Sequence, residues 1–253
     1  MNVRLYRAPT TEADADEIAD WLEGRGPVDS VGVRDRFLDA VKNEVDTRKV
    51  AEGFASARVM SPYDESTGSR MEGVVRYELR ALDDPGAAGG VLYDGFQVQR
   101  LLYPYSAGSG DCLDVVLLDR ALATWGEHDG RWHKRVVVLG QPALVSVPGL
   151  YEAPAKPEEY YKAKQKHALA TGDAPPREVL ESRVEGDFLV ERDPRTTEAL
   201  KGYVLQAVDY HVTGEAFCDE PGCRLYNAHR QGELVEAQLR EPEFCDEHAR
   251  LYG

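Results

Sequence analysis

The sequence predicts an α/β (α+β) fold, a mixed twisted sheet with covering helices, on three observations. Strand-like and helix-like runs alternate through the first half, the helical runs carry apolar residues at a period near 3.6, and Gly/Pro clusters punctuate them. The opening NVRLYRA, residues 2–8, is a short strand. TTEADADEIADWLEGRG, residues 10–26, supplies a polar cap, an acidic first turn, and Ile18, Ala19 and Leu22 at helical spacing before Gly24. A second unit repeats this order, with a strand at 28–37 and a helix over 36–59 carrying Phe37, Val41 and Val45. Residues 61–75 are turn-rich and predict a loop. Strands are expected at VVRYELRAL (74–82), VLYDGFQVQRLLY (91–103), CLDVVLLD (112–119) and RVVVLGQPALVSV (135–147). From Pro154 the character changes: 156–171 and 196–212 predict helices, and the tail beyond is irregular. The chain thus divides into a mixed-sheet region, 1–150, and a helical, metal-binding region, 151–253, packed with it as one unit.

A chain of 253 residues, 42% of them hydrophobic, is large enough for a real core. Its formal net charge of −15 leaves no excess of Lys and Arg to neutralise phosphates, which argues against nucleic acid as a partner. The first residues lack the charged start and apolar run of a secretory leader, and no stretch approaches the ~18 apolar residues that span a bilayer. A cytoplasmic location is expected, and in that reducing setting clustered cysteines argue for metal rather than disulfides.

Cys218-x4-Cys223 is followed, after 21 residues, by Cys245-x2-His248. Two short-range pairs joined by a longer excursion suit a tetrahedral zinc ion, each pair chelating from one turn. Pro221 and Gly222 supply the tight turn in the first pair, and the second pair starts a final helical turn. A Cys3His set leaves no position for water, so one such zinc stabilises the fold. Ordinary buried thiols, or His229 in place of His248, are the alternatives. Cys112 is a core or loop thiol beside a strand.

AVDYHVTGEAFC, residues 207–218, with the cysteines after it, resembles the archaemetzincins, zinc metallopeptidases whose pattern HExxHxxGxxHC runs into Cx4C with a CxxC further on. A second block, residues 124–161, is similar to an archaeal family of uncharacterised proteins described as metallopeptidases. The likeness spans roughly residues 95–253 and implies a metzincin-like arrangement with an irregular, zinc-stapled C-terminal segment. Position by position, His211 matches the second motif histidine, Gly214 the helix-ending glycine and Cys218 the first structural cysteine. Ala207, Val208 and Phe217 stand where the resemblance requires the first histidine, the glutamate base and the third histidine, and Leu225 stands where it requires the Met-turn methionine.

Methyl, isopropyl and phenyl groups offer zinc no lone pair, so His211 is the remaining weak catalytic candidate. Asp209 lies on another helical face, and Glu215 lies beyond Gly214. A rearranged hydrolytic site around His211 would draw on His128, His133, His167 or His229. Without the resemblance, His211 is a histidine near a helix C-terminus, on a stripe with Leu200, Tyr203, Val204, Ala207 and Val208. The expected function is a zinc protein without peptidase activity that binds an extended peptide or a protein partner; the alternative is an active metal-dependent hydrolase. TWGEHDGRWHKR (124–135) is either a hairpin with aromatic anchors or a second binding site. AGSGD (107–111) lacks the lysine of a phosphate loop, and Lys162, Lys164 and Lys166 form a solvated basic face.

Overall fold

The computed structural model describes residues 1–87, 89–106 and 110–253, so most of AGSGD lies outside the described residues. β1 (Asn2–Tyr6) leads to α1 (Ala15–Leu22), which starts where the Asp14 carboxylate accepts the Asp16 and Glu17 backbone N–H groups. α1 buries Ile18 and Leu22 against Val3 and Leu5. β2 (Ser30–Arg34) returns beside β1. The long helix expected over 36–59 is interrupted: α2 (Phe37–Ala40) ends within a turn, and α3 (Thr47–Ser56) starts afresh at Asp46, whose carboxylate accepts the Arg48 and Lys49 N–H groups.

Two stretches expected as strands are largely helical. Residues 74–82 lie in α4 (Glu72–Asp83), where Val75, Glu78 and Leu82 share one buried face. Burial of Glu78 is sustained by Arg58 at 2.6 Å, Arg120 at 2.9 Å and the Tyr93 hydroxyl at 3.0 Å, long-range partners that local sequence does not reveal. Residues 91–103 divide into β3 (Leu92–Asp94) and α5 (Gly95–Leu102), because Asp94 accepts the Phe96 and Gln97 N–H groups and turns the chain into a helix.

β4 (Cys112–Leu118) follows as expected. β5 (Ala121–Gly126) and β6 (Arg131–Arg135) form a hairpin from the 124–135 stretch. The run 135–147 folds back on itself as β7 (Val137–Val138) and β8 (Ala143–Ser146), with Val137 opposite Val145 and Val138 opposite Leu144. The main sheet has the order β2-β1-β4-β8-β7, parallel throughout except for the antiparallel edge strand β7. A second sheet has the order β3-β5-β6.

Ser146 caps α6 (Val147–Glu152), after which come α7 (Glu158–Thr171) and α8 (Arg177–Glu181). α9 (Thr196–Thr213) is buried continuously from Ala199 to Asp209 and stops at Gly214, whose φ of 77° is the left-handed cap anticipated from sequence. The tail is more regular than expected, with α10 (Gln231–Leu239) and α11 (Asp246–Tyr252). One apolar core runs from Val3 through Val115 and Val204 to Tyr252; a second, around Phe54, Tyr93 and Leu122, covers the opposite face of the main sheet. Among the described residues no helix is long and apolar enough to cross a membrane.

Candidate metal centre and the adjoining cleft

Cys218 and Cys223 flank the turn that follows α9, while Cys245 is the N-cap of α11 and His248 sits in its first turn. The Cys223 N–H donates to the Glu220 carbonyl and the Cys218 N–H to the Leu225 carbonyl, closing the first knuckle. The four candidate donor atoms lie within 4.8 Å of one another. Cys218 Sγ is 3.9 Å from Cys245 Sγ, and His248 Nδ1 is 3.6 Å from Cys223 Sγ and 3.1 Å from Cys245 Sγ. A tetrahedral ion with bonds of ~2.3 Å to sulfur and ~2.0 Å to nitrogen separates its ligands by about 3.8 Å (S···S) and 3.5 Å (S···N), so the donor set fits a metal ion.

Burial pushes the Cys218 thiol up to about 12 and raises Cys223 as well. Burial acts in the same direction on Cys245, but hydrogen bonds from the His248 and Glu247 N–H groups, the His248 ring and Cys218 bring it down to about 7. Neighbouring sulfurs oppose one another's ionisation, and a divalent cation removes that opposition. The cluster can therefore hold a metal ion, and its four donors close the coordination sphere.

The remaining histidines lie elsewhere. His211 is half-exposed, its Nε2 3.2 Å from the Gly110 carbonyl oxygen. His229 is exposed; its N–H donates to Glu233 and its carbonyl accepts the Ala155 N–H. His133 pairs with Asp129 on the β5–β6 hairpin. Among the described residues, Cys218, Cys223, Cys245 and His248 are the one group of three or more such side chains placed to share an ion.

The centre ties the tail to the rest of the molecule. The Tyr252 hydroxyl, one turn beyond His248, donates to the buried Asp209 carboxylate of α9 at 2.5 Å, and Arg25 donates to the Tyr252 carbonyl at 2.7 Å. Arg224, inside the metal loop, reaches Glu198 at the start of α9 and Glu243 at 2.8 Å.

Beside the centre, a cleft of about 790 Å³ opens between edge strand β7 and α9. Val137 and Val138 form one wall, and Tyr203, Gln206, Tyr210 and Phe217 another. Gln206 is fully buried, and its Nε2 donates to the Arg224 and Tyr226 carbonyls, each at 3.1 Å. These two bonds fix the amide's orientation and leave Oε1 without a partner. The buried Tyr203 hydroxyl is likewise unpartnered. Ala207 and Val208, aligned above with the motif's first two residues, are fully buried in the apolar core. Gln206 and Tyr210, one position earlier and four residues apart, face the cleft together with Phe217. Sequence reasoning missed this pair, although their helical spacing was readable.

A second cavity, of about 570 Å³, lies at the carboxyl ends of the parallel strands. Several of its charges are met internally: Lys134 pairs with Glu152, and Arg177 bridges Glu152 and Glu191 at 3.0 Å each, while the Asp119 carboxylate accepts the Thr10 N–H. None of its lining residues carries a buried polar atom without a partner, so the β7–α9 cleft is the better candidate for a ligand site.

No curated protein and no solved structure shows significant similarity to the chain. A family model covering residues 4–251, nearly the whole chain, does match it, and the protein belongs to that family, described as a family of unknown function (DUF7001).

Proposed function

We propose that this protein is a zinc-stapled relative of the archaemetzincins that holds an extended peptide, or a partner protein's tail, without hydrolysing it. The observation that carries the reading is the cleft itself: an unpaired sheet edge at β7 faces a wall built from Tyr203, Gln206 and Tyr210 of α9 and Phe217 just beyond it. An extended chain can add to such an edge through main-chain hydrogen bonds and place alternate side chains into the groove, a mode that needs no metal. His133 and His229 also line the cleft, but among the described residues neither joins a third metal-ligating side chain.

Three soft thiolates and one imidazole favour zinc over hard cations, and a closed tetrahedron assigns the ion to folding. The metal loop also serves the cleft. Cys218 and Cys223 hold the turn whose Arg224 and Tyr226 carbonyls orient Gln206, and Phe217 directly precedes the first ligand. Bound metal thus shapes one wall of the groove.

Elemental analysis and peptide-array binding test the reading together. One zinc per chain, lost in Cys245→Ser and kept in His211→Ala, with peptide contacts mapping to residues 135–150, is the expected result. A second ion that His211→Ala removes, or binding that maps away from β7, would overturn it.

A further inference from the structure

The cleft contains a cation without a counter-ion. Side chains alternate along β6, so Arg131, His133 and Arg135 share one face, and all three line the cleft. Asp129 holds Arg131 at 2.6 Å and His133 at 2.9 Å. Arg135 has no such partner. Its Nε donates to Thr124 Oγ1 at 2.8 Å, and among the described residues no carboxylate lies within ion-pair reach of its guanidinium. Glu152, the carboxylate on the cleft wall, is taken by Lys134 and Arg177. Burial lowers the pKa of Arg135 with no opposing contribution from a nearby acid. A half-buried guanidinium with five donors, one of them used within the chain, leaves donors open to an anion in the cleft.

We propose that the occupant of the cleft is an acidic peptide, an aspartate or glutamate side chain of which pairs with Arg135. This rests on the peptide-binding reading above and narrows it to one class of ligand. It also gives a protein of net charge −15 a local reason to attract a negatively charged segment, because Arg135 is the uncompensated charge within the groove.

The test is fluorescence polarisation of the zinc-loaded protein with short labelled peptides, C-terminally amidated and differing only in carrying Glu, Gln or Lys at two alternate positions, beside a single-stranded oligonucleotide. The Glu peptide should bind about tenfold more tightly than the Gln peptide, an advantage that weakens with salt. Arg135→Gln should abolish that advantage while retaining Gln-peptide binding, and Arg135→Lys should keep part of it. If Arg135→Gln fails to fold, the Glu/Gln ratio of the native chain and its salt dependence decide the matter. Equal binding of Glu and Gln peptides refutes the acidic preference and leaves the peptide cleft standing. Binding of no peptide defeats both readings, and preference for the Lys peptide or the oligonucleotide overturns the assignment of the ligand.

Discussion

Replacing Gln206 by methionine separates what the cleft does for a ligand from what it does for the fold. The substitution keeps the length and approximate volume of a fully buried side chain. It removes two hydrogen bonds, to Arg224 O and Tyr226 O, each contributing about 1 kcal/mol. Neither carbonyl is orphaned: Gln238 Nε2 still donates to Arg224 O at 2.9 Å, and the Ala228 N–H to Tyr226 O at 3.1 Å. The change also deletes Oε1, a buried acceptor without a partner, whose desolvation penalty is about 1–3 kcal/mol. The opposing effects nearly cancel, so stability in urea should change by no more than about 1 kcal/mol. Affinity for the acidic peptide should change by less than about twofold, because the side chain is sealed behind the groove wall. Equilibrium urea unfolding followed by circular dichroism, and polarisation titration of the same preparation, read the two effects. A destabilisation above about 3 kcal/mol would mean that Oε1 already has a partner in the free protein, and the argument for an unmet acceptor would fail.

Three other expectations concern the scaffold. At Gly149 a methyl group would lie 2.5 Å from the Arg135 carbonyl oxygen and 2.9 Å from Val136 Cα, backbone that cannot yield, so Gly149→Ala should lower stability by about 2–3 kcal/mol in denaturant titration and weaken peptide binding by displacing the β6–β7 junction. Tyr252→Phe leaves the buried Asp209 carboxylate without its phenol donor; a loss of about 1–3 kcal/mol with unchanged zinc content is expected by calorimetry and elemental analysis. Burial acts to raise Glu198, but its bonds to Lys201 and Arg224 outweigh that and hold its pKa below the usual range. Its contribution is therefore complete above about pH 5 and is lost as pH falls through the depressed value, and Glu198→Gln should flatten the acid limb of a melting-temperature profile.

What could be read from the sequence follows the range of the forces involved. α1 and α9 were legible because caps and apolar spacing act within one or two turns: Ile18, Ala19 and Leu22 are buried as their period required, and Gly214 takes the left-handed conformation. α4 was not. Its valines and tyrosine mimic a strand, and the buried Glu78 that settles the helical face depends on Arg120, 42 residues away. The single strand expected over 91–103 failed on one short-range detail, the Asp94 carboxylate capping α5. Cysteine spacing disclosed the cluster of three thiols and one imidazole, since short pairs brought together by two turns leave a mark in the chain. The cleft left almost none: Gln206 and Tyr210 matter through carbonyls and a sheet edge contributed by distant segments, while the histidine one residue along, His211, lies outside the cleft lining.

Of the two borders of the main sheet, β2 and β7, the one that meets the cleft is only two residues long, Val137 and Val138, before the chain turns away at Gly140. So short a stretch of open backbone gives another copy of the molecule too little ladder to grow on at this border. It also limits how firmly any segment laid along it can be held by main-chain bonds, about 1 kcal/mol apiece. Whatever rests there is released readily, and discrimination falls to the side chains that line the groove.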